Sequence, residues 1–381
     1  MTTRIYLDYN ATTPLRPEAR AAMVEALEVY GNPSSVHAEG RAARGLIEAA
    51  RAKVASLAGV SPERVVFTSG GSEANALALA AQGGSAWHCY LSAIEHPSVL
   101  SGGRFYREST THLPVTADGV VDLEALAREL AKHQPGGWRP FVSLMAANNE
   151  TGAIQPVAEA ADIAHRAGGL LHTDAVQAAG KLPLDFEALG ADMMSLSAHK
   201  LGGPKGVGVL IVRDGVAVEP LIKGGGQEGR KRAGTENVAG IAGFGVAAEL
   251  AAAELNLAAS LAALRDEMET RARELVPDAV VLSERVARLP NTSLIAAPGV
   301  KAETLVIGLD LAGFAVSSGS ACSSGKVEAS HVLAAMGVAP ELAEGAIRVS
   351  LGFGTRNTDI QAFLEVWSNL VRRMRMRPQA A

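Results

Sequence analysis

The sharpest chemical signal in the 381-residue sequence is Ser197-Ala198-His199-Lys200-Leu201-Gly202-Gly203-Pro204-Lys205-Gly206, a lysine at the end of a strand-like run followed by glycines. A lysine amine is nucleophilic only when deprotonated, and a partly desolvated site lowers its pKa enough for Schiff-base chemistry. Ser197 and His199 flank it with groups suited to an anion. Asp174 closes a second strand-like run, Leu170-Leu171-His172-Thr173, and precedes Ala175-Val176-Gln177. An aspartate at a strand end is often only a helix cap. Beside a reactive lysine, it can keep a pyridine nitrogen protonated so that the ring acts as an electron sink. Third, Gly70-Gly71-Ser72 opens an Ala-rich helical stretch. Backbone N–H groups and the helix dipole there favour a phosphate dianion, with the Ser72 hydroxyl as a further donor. Each signal is weak alone; in this order the three suit pyridoxal 5'-phosphate (PLP).

A frame must bring these groups together. Helical spacing predicts helices over 17–30 and 41–57, separated by the loop Gly31-Asn32-Pro33-Ser34-Ser35. Val65-Val66-Phe67-Thr68 reads as a strand, followed by the glycine turn and a helix over 74–81. Apolar runs at 141–145, 170–172, 193–196 and 207–212 then alternate with helical stretches such as 158–167. Alternation of this kind predicts an α/β fold with a mostly parallel sheet, and ligands of such sheets sit at the carboxyl ends of the strands. From residue 255 the composition shifts to a long helix reaching about 275, then to short strands near 292–295 and 315–316. The expected organisation is a large domain over 11–254 and a small domain of 1–10 with 255–381. The basic, Pro-containing tail over 372–381 is expected to fray.

The bulk composition excludes several classes. With 48% hydrophobic and 20% charged residues the chain is an ordinary globular protein with a large core. A net charge of -5 gives no electrostatic footprint for nucleic acid or an anionic membrane. No apolar run approaches the roughly 18 residues of a membrane span, and the opening M-T-T-R-I-Y-L-D-Y has no secretory h-region, so a cytoplasmic location is expected. Two cysteines make no disulfide framework. Cys89, between His88 and Tyr90, reads as packing. Cys322 lies in a Gly/Ser-rich stretch unsuited to a core and suited to presenting a thiol.

Four motifs carry a resemblance that runs nearly end to end: Y-L-D-Y-N-A-T-T-P at 6–14, S-A-H-K at 197–200, G-G-G-Q-E at 224–228 and S-S-G-S-A-C-S-S-G at 317–325. The chain resembles a cysteine desulfurase of the NifS/IscS type, in the class V aminotransferase branch of fold-type I PLP enzymes. The last motif resembles the subgroup with a longer cysteine loop. The resemblance implies a seven-stranded, mostly parallel sheet in the large domain and a smaller α+β domain carrying Cys322. It implies conversion of L-cysteine to L-alanine, with sulfur carried as a persulfide on Cys322 to acceptors for iron–sulfur cluster assembly. Lys200 resembles the Schiff-base lysine, Asp174 the partner of the pyridine nitrogen, Gln177 a donor to the ring oxygen and His96 the histidine that stacks on the ring and moves protons. Gly71, Ser72, Ser197 and His199 resemble the phosphate cradle, completed by Thr235 from the other subunit of a homodimer. Asn149 and Arg348, with Asn32, resemble the residues that receive the substrate, and arginine suits a carboxylate because its planar fork makes two hydrogen bonds. The resemblance implies no metal.

Two departures from the family pattern stand out. Gln227-Glu228-Gly229-Arg230 replaces the usual Q-E-R-G order, and Ser72 stands where relatives carry threonine. The stretch beyond Arg348 is shorter than in the housekeeping IscS type, which points to the NifS-like branch. Rival readings share Lys200 and Asp174: a selenocysteine lyase, a class V aminotransferase, which has no need of the Cys322 loop, or a non-catalytic sulfur-handling protein on a decayed fold. The acceptor, whether an iron–sulfur scaffold or a tRNA-thiolation protein, is left open.

Overall fold

Short β-branched runs between 65 and 212 form one sheet buried on both faces. In the computed structural model, which describes residues 4–80, 87–101, 103–133, 137–318, 322–323, 326–327 and 330–376, the chain opens with β1 (Ile5–Tyr6), α1 (Pro17–Leu27) and α2 (Ala38–Leu57). There follow β2 (Val65–Thr68), α3 (Gly71–Ala80), β3 (Trp87–Ser92), α4 (Pro97–Leu100), β4 (Thr110–Leu113) and α5 (Leu123–His133). Next come β5 (Arg139–Ser143), α6 (Val157–Arg166), β6 (Leu170–Asp174), β7 (Met193–Ser197) and β8 (Gly208–Val212). The strands form a seven-stranded sheet in the order β2-β8-β7-β6-β5-β3-β4, as expected. Only β8 runs against its neighbours, pairing antiparallel with β2 and β7; the other pairs are parallel.

Successive strand residues point to opposite faces, so each strand feeds two cores. Phe67, Val142, Met194 and Ile211 join the core that includes α2 and α6, whereas Val66, Phe141, Met193 and Leu210 join the one with α3. Cys89 belongs to the second core, where burial and then Glu95 push its thiol pKa well up. That makes it inert packing, as its neighbours in sequence suggested. A helix apolar all round must be wrapped by protein: α7 (Val238–Ala253) packs on α1 and α2. Gly245 allows that approach, since a Cβ there would lie 2.6 Å from the Ala50 Cα.

The remaining elements are α8 (Ala258–Leu275), β9 (Val280–Val281), β10 (Thr292–Ala296), α9 (Ala302–Leu311), β11 (Phe314–Ala315) and β12 (Ser317–Ser318). After them come β13 (Cys322–Ser323), β14 (Lys326–Val327), α10 (His331–Ala335), α11 (Pro340–Ala343), β15 (Ala346–Ser350) and α12 (Asn357–Met376). A second, antiparallel sheet has the order β12-β15-β10-β9. Its Ile295, Ile347 and Val349 pack against Leu305 of α9 and Phe363 and Trp367 of α12. The N-terminal β1 joins this part of the chain by pairing parallel with β11.

The expected fraying from residue 372 does not occur up to Met376. Arg375 grips Asp278 with two hydrogen bonds of 3.0 and 2.9 Å, and Arg372 donates to the Leu275 carbonyl at 3.2 Å. Basic side chains in the last turn also suit the negative end of the helix dipole. Residues 377–381 lie outside the described ones. Among the described residues no single helix is long and apolar enough to cross a membrane.

Candidate active site

Parallel strands direct their carboxyl ends to one edge of the sheet, and the chain places its polar residues there. A cavity of about 300 Å³ opens at the ends of β5, β6 and β7, closed on one side by the first turn of α3. Asp174, the last residue of β6, and Lys200, three residues past β7, both line it. Gly71 and Ser72 of α3, Gln177, and Ser197 with His199 line the same cavity, as do His96 and Asn149.

Asp174 is 7% exposed and both its oxygens are engaged. Oδ2 accepts from Asn75 Nδ2 at 2.7 Å and Oδ1 from the Val176 N–H at 3.0 Å, which fixes the plane of the carboxylate. Asn75 was not singled out from sequence. It sits one helical turn beyond Gly71 and Ser72, on the same face of α3, and that spacing is the signal that could have found it. Its amide also donates to Ser98 Oγ at 2.9 Å, while Asn75 Oδ1 is buried with no partner among the described residues.

Lys200 donates to the carbonyls of Asn10 and Ala11, the second at 2.9 Å. Burial lowers its pKa from 10.5 to about 8, helped by the positive charge of Arg348 and opposed by Asp174 and Asp8. Near neutral pH the amine therefore has a free-base fraction far above that of an exposed lysine. Asn10 is the hub beneath it. Its carbonyl accepts from Gln177 Nε2 at 3.0 Å as well as from Lys200, and its amide donates to Thr292 Oγ1 at 2.9 Å and to the Asn149 carbonyl at 3.2 Å. A second lysine, Lys181, donates to Gln177 Oε1 at 2.9 Å and Asn10 Oδ1 at 3.2 Å. Burial, with Lys200 and Arg348 adding repulsion, holds its amine well below the ordinary lysine range.

Both histidines at the cavity have lowered pKa values. Burial, with Lys200 and Lys205, lowers the pKa of His199 to about 4, and its Nδ1 shares a 3.2 Å hydrogen bond with Thr12 Oγ1. A neutral ring with Nδ1 accepting keeps an Nε2–H to donate. His96 caps α4, its Nδ1 accepting from the Ser98 N–H at 3.1 Å. Burial lowers its pKa, Asp174 opposes the effect, and Lys200 and His331 reinforce it.

Close backbone approach shapes the turn before α3. A Cβ on Gly71 would come within 3.0 Å of Val176 Cγ2, and one on Gly208 within 2.5 Å of the Gly70 carbonyl carbon. Behind Ser72, Glu73 accepts from the Ser69 N–H at 2.7 Å and pairs with Arg232 Nε at 3.0 Å. The altered Glu228-Gly229-Arg230 order has a structural counterpart: all three residues have left-handed φ, of 46°, 60° and 65°. The Glu228 carboxylate takes Arg51 at 2.7 and 2.8 Å and the Phe67 N–H at 2.8 Å, contacts that offset the strain of a non-glycine residue there.

Other residues singled out from sequence lie elsewhere. Arg348, at the centre of β15, does not line this cavity; it sits behind Asn149, donating Nη1 to that residue's carbonyl at 3.0 Å and Nη2 to Asp8 Oδ1 at 2.7 Å. Its Nε is buried without a partner among the described residues. Asn32 is exposed and accepts from the Ser34 N–H at 2.9 Å, and Thr235 is exposed, away from the cavity lining. Cys322 has its backbone in β13, paired with Val327 of β14, and its side chain lies outside the described residues.

The aminotransferase class V family model matches residues 5–363. The chain is 47% identical to a cysteine desulfurase of Cereibacter sphaeroides, over 98% of this chain and 97% of that protein. With the cysteine desulfurase IscS of Dictyoglomus turgidum the identity is 43%, over 98% and 96%. The crystal structure of a NifS-like protein from Rickettsia africae superposes with a TM-score of 0.89, at 36% identity, covering 97% of this chain and 99% of that one. The chain therefore belongs to the cysteine desulfurases of the class V aminotransferase family.

Proposed function

We propose that this protein converts L-cysteine to L-alanine and carries the released sulfur as a persulfide on Cys322. The observation that carries the reading is the convergence of Lys200, an amine with a pKa lowered to about 8, and the buried Asp174 carboxylate on one cavity. Pyridoxal 5'-phosphate fits these residues. An acid group for a ring nitrogen, an amine for a carbonyl carbon and a glycine turn at the N-terminus of α3 for a phosphate all face one space. When bound, the cofactor supplies an electron-withdrawing ring that stabilises negative charge at the α-carbon of the amino acid.

The chain's own residues do the rest. Asp174, oriented by Asn75 and Val176, holds a proton on the ring nitrogen, and Gln177 offers its amide to the ring oxygen. Gly71, Ser72, Ser197 and His199 hold the phosphate, with Thr235 supplied across a homodimer interface. Arg348 and Asn149 take the substrate carboxylate, with Asn32 as a further contact; for Arg348 this requires its guanidinium to leave Asp8 and turn from behind Asn149 into the cavity. Lys200 as free base removes the α-proton, and His96, uncharged near neutral pH, is the general acid or base at the thiol. The Cys322 thiolate then attacks the substrate sulfur. An S–S bond forms, the C–S bond breaks with its electron pair remaining on carbon, and protonation there gives alanine.

In this reading residues 11–254 form the large domain, and 1–10 with 255–381 the small domain that carries Cys322. The acceptor is an iron–sulfur scaffold or another sulfur-handling protein, reached in the cytoplasm. The test is to offer the PLP-loaded enzyme L-cysteine, L-selenocysteine, or an amino donor with a 2-oxo acid. With a thiol reductant present to release the persulfide sulfur, alanine and sulfide from cysteine, lost in Cys322→Ala, are expected; amino transfer to the 2-oxo acid without alanine from cysteine would overturn the reading.

A further inference from the structure

The stretch that contains Cys322 is tied down at both ends. Upstream, β12 pairs antiparallel with β15 and sets Ser317 opposite Arg348. Downstream, the tie is Ser330, eight residues after Cys322 and the N-cap of α10. Its hydroxyl accepts from the Leu333 N–H at 3.1 Å and donates to Glu150 Oε2 at 2.6 Å. The next residue, His331, hydrogen-bonds the Glu95 carbonyl through Nε2 at 2.9 Å. Glu95 and Glu150 directly precede or follow the cavity residues His96 and Asn149.

Glu150 is a group without an assigned task. It is 3% exposed, and burial lifts its pKa to about 7 although Ser330 and Arg348 pull it down. A carboxyl group so deeply buried is unfavourable unless something requires it. It does not line the cavity, and it does not shape the Asn149 turn: Asn148 does that, its Oδ1 accepting from the N–H groups of Glu150 and Thr151 at 2.9 and 3.0 Å. Among the described residues its carboxylate accepts a side-chain hydrogen bond from Ser330.

We propose that Glu150, through Ser330, is a positioning residue for sulfur transfer, pinning the downstream root of the Cys322 segment to the turn that presents Asn149. The inference rests on Cys322 being the sulfur carrier. Eight residues span at most roughly 27 Å, so the position of the root bounds how far the thiol can reach toward a sulfur held near Lys200. A root free to drift lowers the fraction of time the two sulfurs spend in reacting distance, without altering how cysteine is bound. The rest of α10 is held independently, with Val332 and Leu333 packed among Ile94, Met145 and Leu294. Loss of the Glu150 contact therefore loosens Ser330 and the residues before it, while the rest of the helix stays in place.

Rapid-quench measurement of alanine and of persulfide on Cys322, with the PLP-loaded enzyme and L-cysteine, tests this. Ser330→Ala and Glu150→Ala should each lower kcat by about tenfold with KM for cysteine changed by less than about twofold, and the double variant should be no slower than the slower single one. Glu150→Gln, whose amide oxygen still accepts from Ser330, should recover most of the rate. Wild-type rates in Ser330→Ala, an effect on KM alone, or multiplying losses in the double variant would overturn the inference. If the wild-type enzyme makes no alanine from cysteine, the functional reading itself fails; if it does and Ser330→Ala matches it, only this inference fails.

Discussion

Lys200 allows a prediction that needs no cofactor. Its pKa is about 8 in the fold against 10.5 in the ordinary state, so between those values the unfolded chain binds the extra proton. Stability then rises with pH, because ∂ΔG/∂pH has the sign of protons bound unfolded minus folded. Integrated for a single site between pH 7 and pH 9.5, this linkage amounts to about 2 kcal/mol. Lys200→Met removes the titrating group. Lys181, whose amine is also held low partly by Lys200, relaxes upward in that variant and so enlarges the difference in the same direction. Urea denaturation of cofactor-free wild type and Lys200→Met at the two pH values measures it. Stopping at pH 9.5 avoids Tyr6 and Tyr90: burial raises the first to about 12 and pushes the second up as well, and both act with the opposite sign above pH 10. Wild type should gain about 2 kcal/mol relative to the variant on going to pH 9.5. A relative change below about 0.5 kcal/mol would mean that the amine keeps an ordinary pKa in the fold, and the argument for a ready free base would fail.

Three other perturbations have defined outcomes. Asn75→Asp sets a second carboxylate 2.7 Å from Asp174 Oδ2 in place of a donor; cofactor affinity, followed by the visible absorbance on PLP titration, should drop by at least about tenfold, as like charges favour a shared proton. Gly208→Ala forces a Cβ to within 2.5 Å of Gly70; thermal unfolding should show a loss of about 2 kcal/mol or more, with weaker phosphate binding at the neighbouring turn. His172 is fully buried between Ser143 Oγ and Ser195 Oγ, each 2.9 Å away, and burial lowers its pKa to about 3. The stability tied to its neutral form is present above pH 6.5 and lost as pH falls toward 3, so His172→Gln should lose about 2.5 kcal/mol less than wild type between pH 7 and 4.5.

The sheet was legible because its strands are short apolar runs bounded by glycine or polar residues. Val65–Thr68 appears as read, and the run at 170–172 extends two residues to end on Asp174. Lys200, Asp174 and Ser72 come together because successive parallel strands end at one edge, a regularity that patterning conveys. What patterning does not convey is how buried polar side chains satisfy one another over long separations in sequence. Asn10 meets Gln177 and Thr292 across 167 and 282 residues, and nothing in its neighbours announces that role. Arg348 was read as a fork for the substrate carboxylate; in the fold it holds Asp8, a partner 340 residues away that no local motif indicates. Residues 372–376 of the tail were misread because their basic composition hides the Asp278 that holds Arg375.

The most direct test of the account follows the sulfur atom itself. The PLP-loaded protein is mixed with L-cysteine in the absence of a thiol reductant, free thiols and persulfides are alkylated, and the Cys89 and Cys322 peptides are weighed while alanine is counted. One alanine per subunit in the first turnover, with the mass of one added sulfur on Cys322 and none on Cys89, is the predicted result. Alanine formed while Cys322 carries no extra sulfur, or undiminished turnover in Cys322→Ala, would contradict it.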